Sequence, residues 1–329
     1  MDSIGIIGEG SWGTALLKIL QQNNNQVHWL VRFNDMRESI LQTKHNPTYL
    51  SDVEIDLSKV TIYSEICNLL KNTDIIFLVL PAAFIEYTFF EINSDLLKNK
   101  YFISATKGIL PTNNLTVSQY LHQKFNVPTQ NIGFLSGPSH AEEVALERLT
   151  FLTVMSENPL LREKVRSILT NRYIKITTNS DVQGAEYATA IKNIMAIAAG
   201  IIHSLGYGDN FLAVFVTYAL KEIELFINTV VPYKRDVKDY VYLGDVLVTC
   251  YSQFSRNRTF GIMIGKGYSV NAAQLEMNMI AEGYFAVKSI INIAQKHNIQ
   301  LPICQAVYNI LYLRHVPATE IKMLIDKLK

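Results

Sequence analysis

Ile4-Gly5-Ile6-Ile7 runs without a break into Gly8-Glu9-Gly10-Ser11-Trp12-Gly13. The apolar run reads as a buried strand and residues 14–22 read as a helix, so a G-x-G-x-x-G turn lies between strand and helix. Each glycine has its own use there. Gly8 allows the tight turn out of the strand, Gly10 lets a pyrophosphate approach the backbone, and Gly13 lets the helix lie close to the strand. The N–H groups of the helix N-terminus then face the phosphates. A glycine-rich turn without a ligand has the same pattern, but its place between a strand and a helix favours a dinucleotide.

The next strand, 27–31, ends at Arg32. In NAD-selective sheets an Asp or Glu at this point holds the ribose 2′-hydroxyl, and an arginine accommodates a 2′-phosphate. Arg32 therefore points to acceptance of NADP(H) without exclusion of NAD(H), with NADPH used at least as well as NADH. An exposed loop arginine is the alternative.

The chain has 329 residues, enough for two domains. Its 30 basic and 29 acidic residues nearly cancel, which gives no electrostatic footprint for nucleic acid or a membrane surface. The longest strictly apolar stretch of the later helices, 194–202, is far short of a bilayer span, so no membrane span is expected. The first apolar residues lead straight into the glycine turn and do not resemble a secretion signal. Cys67, Cys250 and Cys304 are scattered, which fits a reducing cytoplasm. His140 near Glu142 and Glu143 is the sole candidate metal cluster and matches no standard spacing, so no metal is expected.

Apolar runs at 74–80, 101–105, 132–135, 151–155 and 173–177 read as strands, with helical stretches such as 161–169 between them. From about residue 180 long helices dominate: 183–205, 211–230, 275–298, 303–313 and 319–328. The fold expected is α/β. An N-terminal Rossmann-like, doubly wound and mostly parallel sheet (1–179) is followed by an all-α C-terminal domain (180–329).

Ligands of such sheets sit beyond the carboxyl ends of the strands, where Thr106-Lys107-Gly108 and Ser136-Gly137-Pro138-Ser139-His140-Ala141 lie. Lys192 interrupts an apolar helix and shares a face with Ala185, Ala188, Ala196 and Ala199. Desolvation there would lower its pKa toward neutrality, as a proton donor and acceptor needs. Snorkelling to the surface is the alternative. Asp245, in Tyr242-Leu243-Gly244-Asp245, is placed to orient a lysine or accept from a substrate hydroxyl. Ser255-Arg256-Asn257-Arg258 sets a hydroxyl, a guanidinium and an amide side by side at a helix start, a combination that suits a phosphate dianion.

Together these segments carry more information than any one of them. Gly-Glu-Gly-Ser-Trp-Gly-Thr-Ala, Thr-Lys-Gly-Ile, Ser-Gly-Pro-Ser-His-Ala, Ala-Ile-Lys-Asn-Ile, Leu-Gly-Asp with Thr249-Cys250, and Ser-Arg-Asn-Arg-x-Phe-Gly occur in order along the chain. In that order and spacing the chain resembles the bacterial NAD(P)-dependent glycerol-3-phosphate dehydrogenases over nearly its whole length. The resemblance implies reversible hydride transfer at C2 between dihydroxyacetone phosphate and sn-glycerol 3-phosphate, with NADP or NAD as cofactor, in the cytoplasm, supplying phospholipid synthesis. It implies a dinucleotide-binding domain at 1–179 and a substrate-binding, catalytic domain at 180–329. Lys192 is implied as the catalytic proton donor and acceptor. Lys107, Gly137, Ser139, Lys192, Asp245, Ser255, Arg256 and Asn257 are implied as substrate contacts. Gly8, Gly10, Ser11, Trp12, Gly13, Arg32, Lys107, Ala141, Arg256, Ile280 and Glu282 are implied as cofactor contacts.

Three positions depart from the family pattern: Tyr242 for glycine, Tyr218 for arginine, and Arg32 where many members carry histidine. Subunit number stays open, a homodimer among the options. Two other functions are carried forward, a related two-domain hydroxy-acid dehydrogenase and a dinucleotide sensor without catalysis. Lys107 and Lys192 argue against the sensor, and the phosphate-suited cluster at 255–258 argues against the hydroxy acid.

Overall fold

A computed structural model describes residues 2–277 and 281–327. It divides into two compact units. Unit 1 comprises Met1–Leu80, Phe84–Thr106 and Val117–Val182, and unit 2 comprises Pro81–Ala83, Lys107–Thr116 and Gln183–Lys329.

Unit 1 is built on one sheet. Its strands are β1 (Ile4–Ile7), β2 (Val27–Leu30), β3 (Val60–Tyr63), β4 (Ile75–Leu78), β5 (Tyr101–Ser104), β6 (Ile132–Ser136), β7 (Thr150–Ser156) and β8 (Ile174–Asn179), in spatial order β3-β2-β1-β4-β5-β6-β7-β8. Every pairing is parallel except β6 with β7. All residues of β1, β4 and β6 are buried, as expected of central strands covered on both faces. β3 is absent from the sequence expectation. It is a four-residue edge strand, half-buried and lacking a continuous apolar run, so it gives little periodic signal. The order of the strands reverses beside β1, which pairs Ile4 with Val27 of β2 on one side and with Ile75 of β4 on the other. The glycine turn leaves β1 at that reversal, where open sheets of this type form their ligand crevice.

Unit 2 is helical among its described residues. Its central element is the helix Val182–Ser204, which passes by length and composition for a membrane span. The apolar window that qualifies is wholly buried inside the protein, so its hydrophobicity is that of a core helix. The helix expected over 275–298 is instead two. One ends at Glu276 and the next begins at Glu282, after Ala281. The sequence offers no proline or glycine between Glu276 and Glu282 to mark the boundary.

The helix Asp209–Val230 carries Glu222 on its buried face. The Glu222 carboxylate accepts the backbone N–H groups of Ile303 (2.8 Å) and Cys304 (2.9 Å), both in the first turn of the helix Pro302–Tyr312. A side chain 81 and 82 positions away from these N–H groups thus caps a helix that has no local side-chain cap. Burial pushes the Glu222 carboxyl up to about 7, the two N–H donors offsetting part of the rise.

Because the folded pKa lies above the unfolded value, folding takes up a proton between about pH 4.5 and pH 7. The stability contributed by this group is therefore full below that window and falls as pH rises through it, by an amount on the order of 3 kcal/mol. Glu222→Gln, which cannot ionise, should lack this dependence. The unfolding free energy of wild type minus that of the variant should fall between pH 5 and pH 8 in urea titrations. A difference that stays flat would exclude the shift.

Candidate active site

In unit 1 the glycine turn is held by its own carbonyls. The carbonyl of Gly8 accepts the indole N–H of Trp29 (3.1 Å), that of Glu9 the Asn46 amide (2.9 Å), and that of Gly10 the N–H of Thr14 (2.9 Å). The Asn46 amide also donates to the Thr14 hydroxyl, 3.0 Å away. With three successive carbonyls fixed, the turn is pre-shaped without a ligand.

Two of the three glycines are required by the protein's own packing. Gly8 has φ +129°, and a Cβ there would overlap the carbonyl of Val79. A Cβ on Gly13 would overlap the carbonyl of Gly8. Gly10 is different, since a Cβ there would meet nothing within 4 Å and its backbone is extended. Open space at Gly10 fits room for a phosphate at the N-terminus of the helix Ser11–Gln22. The buried Trp12 indole N–H meets no acceptor among the described residues. Ser11 is buried on the first turn of the helix. The donors and the space together fit a dinucleotide pyrophosphate.

The remaining predicted residues of unit 1 lie at strand ends. Arg32 follows β2, with its Nε 3.6 Å from the Glu9 carboxylate. Gly137, at φ +146°, follows β6, and its carbonyl accepts the Ser139 hydroxyl (3.0 Å). Ala141 starts the short helix Ala141–Ala145.

Unit 2 gathers the two predicted lysines around one carboxylate. Lys192 is 4% exposed in the middle of Val182–Ser204. Its ammonium donates to Asp245 Oδ1 and, at 3.0 Å, to the Thr249 hydroxyl. The snorkelling alternative is thereby excluded. Lys107 Nζ lies 4.0 Å from the other oxygen, Oδ2, of Asp245. The Thr249 hydroxyl donates in turn to the Asp245 carbonyl (2.5 Å), one helical turn back. Asp245 begins the helix Asp245–Tyr251 and is delivered by a π-helical turn, Tyr240–Gly244. Such turns recur at functional sites. Tyr242, the departure from glycine, is buried within that turn, and Gly244 adopts ordinary helical angles. Tyr218, the departure from arginine, stacks with the Lys221 ammonium (4.8 Å).

Burial pulls the Lys192 ammonium down to about 8; Asp245 opposes the shift and the Lys107 charge adds to it. An amine with that value exchanges protons near neutral pH. Asn193, the next residue, donates its amide to the Lys107 carbonyl (2.7 Å) and so positions the second lysine.

The phosphate-suited cluster starts another helix, Arg256–Gly265. Ser255 caps it by accepting the N–H of Arg258 (3.3 Å), and Asn257 Oδ1 accepts the N–H of Gly283 (2.9 Å). Both side chains are used as acceptors within the fold. The hydroxyl and amide hydrogens remain donors, which an anion requires. Arg256 is exposed between them. Glu282 accepts the N–H of Ala82 (3.0 Å), and burial raises its carboxyl pKa while that hydrogen bond and Arg256 lower it. Ile280 lies outside the described residues.

Sequence reasoning missed Trp29, Asn46 and Asn193, and gave Thr249 no role. Trp29 and Asn46 act on backbone carbonyls 21 and 37 positions away, and Asn193 on one 86 positions away. Nothing local marks such long-range bonds. The adjacency of Asn193 to Lys192 and the i+4 spacing of Asp245 and Thr249 were the available signals.

Residues 3–161 match the family model described as NAD-dependent glycerol-3-phosphate dehydrogenase N-terminus, and residues 181–322 match that of the C-terminus. The chain is 34% identical to "Glycerol-3-phosphate dehydrogenase [NAD(P)+]" of Staphylococcus carnosus over 330 residues, covering 99% of this chain and 98% of that protein. It is 36% identical to the protein of the same name from Macrococcus caseolyticus over 316 residues, covering 95% and 94%. The crystal structure of glycerol-3-phosphate dehydrogenase from Coxiella burnetii superposes with a TM-score of 0.92 at 26% identity, covering 98% of both chains. With both halves matched in order, the chain belongs to the NAD-dependent glycerol-3-phosphate dehydrogenase family.

Proposed function

We propose that this chain interconverts dihydroxyacetone phosphate and sn-glycerol 3-phosphate with NAD(H) or NADP(H), in the cytoplasm, supplying glycerol 3-phosphate for phospholipid synthesis. The observation that carries this reading is the buried Lys192 ammonium, held by Asp245 and Thr249 with Lys107 on the far oxygen of the same carboxylate. Residues 1–179 serve as the dinucleotide-binding domain and 180–329 as the substrate-binding and catalytic domain. Lys107, which is grouped with unit 2, belongs functionally with the second.

Bound reduced nicotinamide supplies the hydride for C2 of the ketone. Lys192 gives the forming alkoxide its proton, and in the reverse direction takes the proton from the C2 hydroxyl. Asp245 and Thr249 fix the ammonium so that one N–H is left to point at the substrate oxygen. Asp245 shared between two ammonium groups leaves the cluster with a net positive charge, which stabilises negative charge developing on that oxygen. Arg256, Ser255 and Asn257 hold the substrate phosphate, with Gly137 and Ser139 as further substrate contacts. That binding energy, remote from C2, aligns the carbonyl for reaction. Gly8, Gly10, Ser11, Trp12, Gly13, Arg32, Ala141 and Glu282 hold the dinucleotide, and Lys107 and Arg256 touch both ligands.

Lys192→Ala should lower kcat for ketone reduction by roughly 10²–10⁴-fold with little change in cofactor binding. More than about a tenth of wild-type kcat in the variant would end the assigned role. The wild-type profile carries a second test. Ketone reduction needs the protonated amine, so its rate should fall as pH rises through about 8, whereas glycerol 3-phosphate oxidation should rise over the same range.

Arg256→Ala should lower kcat/KM for dihydroxyacetone phosphate by an amount on the order of 10²–10³-fold. Unphosphorylated dihydroxyacetone should be affected far less. Equal losses on the two ketones would show that Arg256 does not read the phosphate.

A further inference from the structure

Glu9, the second residue of the glycine turn, has no part in the site described above, yet its environment is unusual. It is 4% exposed, and neither carboxylate oxygen has a well-formed hydrogen bond among the described residues; only its own backbone N–H and the Arg32 side chain come near. The nearest cation is Arg32, whose Nε stands 3.6 Å away, too far for a hydrogen bond, and this Nε is itself buried without an acceptor. The Arg32 guanidinium lies 5.9 Å from the centre of the Phe33 ring, and Phe33 is 61% exposed. Arg32 is thus held between a carboxylate beneath it and an exposed aromatic ring beside it. Burial favours protonation of Glu9, and the Arg32 charge opposes this, helped by weak contacts from the Glu9 N–H and the Arg32 side chain.

A buried carboxylate so poorly supplied with donors is costly to the free protein, which favours a donor from elsewhere. The place identifies the donor. In sheets of this order the end of the second strand is where the adenosine ribose is read, by a carboxylate for a free 2′-hydroxyl or an arginine for a 2′-phosphate. Here β2 ends without an acid, and the glycine turn supplies one from the neighbouring strand. A ribose diol would give the Glu9 carboxylate the donors it lacks. A 2′-phosphate would approach an arginine whose charge is already offset and meet a like charge a few ångströms behind it.

We infer that Glu9 sets cofactor choice: its carboxylate receives the ribose hydroxyl of NAD(H) and, paired with Arg32, disfavours the 2′-phosphate of NADP(H). This rests on the dehydrogenase function proposed above, and it reverses the preference expected from Arg32 alone. The position of the acid differs from the usual strand-end acid, but the chemistry is the same, a carboxylate that accepts from a diol and repels a phosphate.

The test is direct binding of NADH and NADPH, followed by cofactor fluorescence without substrate, in wild type, Glu9→Gln, Glu9→Ala and the double variant Glu9→Gln/Arg32→Ala. Wild type should bind NADH at least about tenfold more tightly than NADPH. Glu9→Gln and Glu9→Ala should each shift the ratio toward NADPH by about tenfold or more, mainly through tighter NADPH binding, and the double variant should lose that gain. Equal binding of both cofactors by wild type, or a ratio unchanged within about twofold in both single variants, overturns the inference and leaves the dehydrogenase function standing. Failure of wild type to bind either cofactor, together with no turnover of dihydroxyacetone phosphate, overturns both.

Discussion

A lysine ammonium in the middle of a buried apolar helix must be compensated, and unit 2 is organised around how Lys192 is. An isolated buried cation is unfavourable enough that the amine would simply lose its proton. Asp245 keeps the charge affordable without cancelling the effect of burial, so the amine ends near 8 rather than far above or far below it. That balance depends on two helices whose residues are 53 positions apart being held in register. The π-helical turn at Tyr240–Gly244 and the Thr249 hydroxyl both serve that register. One fixes where the second helix begins, and the other ties its first turn to the ammonium.

Unit 1 solves a different problem by similar means. Its glycine turn leaves carbonyls that need partners on the protein side. Trp29, Asn46 and Thr14 take them one by one. Gly8 and Gly13 are glycines because backbone atoms occupy the space a side chain would fill, whereas Gly10 is bordered by open space. The same motif therefore holds two glycines that packing requires and one that it does not.

Both units also contain a buried carboxylate, and the contrast between them is informative. Glu222 accepts two backbone N–H groups and closes the end of a helix, which makes it part of the scaffold. Glu9 has no well-formed hydrogen bond among the described residues and faces a single arginine. The fold alone accounts for the first acid and does not account for the second.

The architecture was legible in the residue pattern, and so were the segments that carry the candidate site. Continuous apolar runs ended by turn residues mark the central strands, because strands covered on both faces carry no polar alternation. The glycine turn, Lys192 among alanines and the Ser255–Arg258 cluster were legible because each is local, with spacing and residue type in one window. Edge strand β3 and the break between Glu276 and Glu282 were not legible, since neither leaves a distinct apolar period. Which groups meet was left to packing: Asp245 between two lysines, Asn193 on the Lys107 carbonyl, Asn46 on the glycine turn, and Glu9 beside Arg32. These are contacts between residues 23 to 138 positions apart in sequence. They exist because buried charges and backbone carbonyls must find partners wherever the packed chain brings them, and no local pattern encodes that demand.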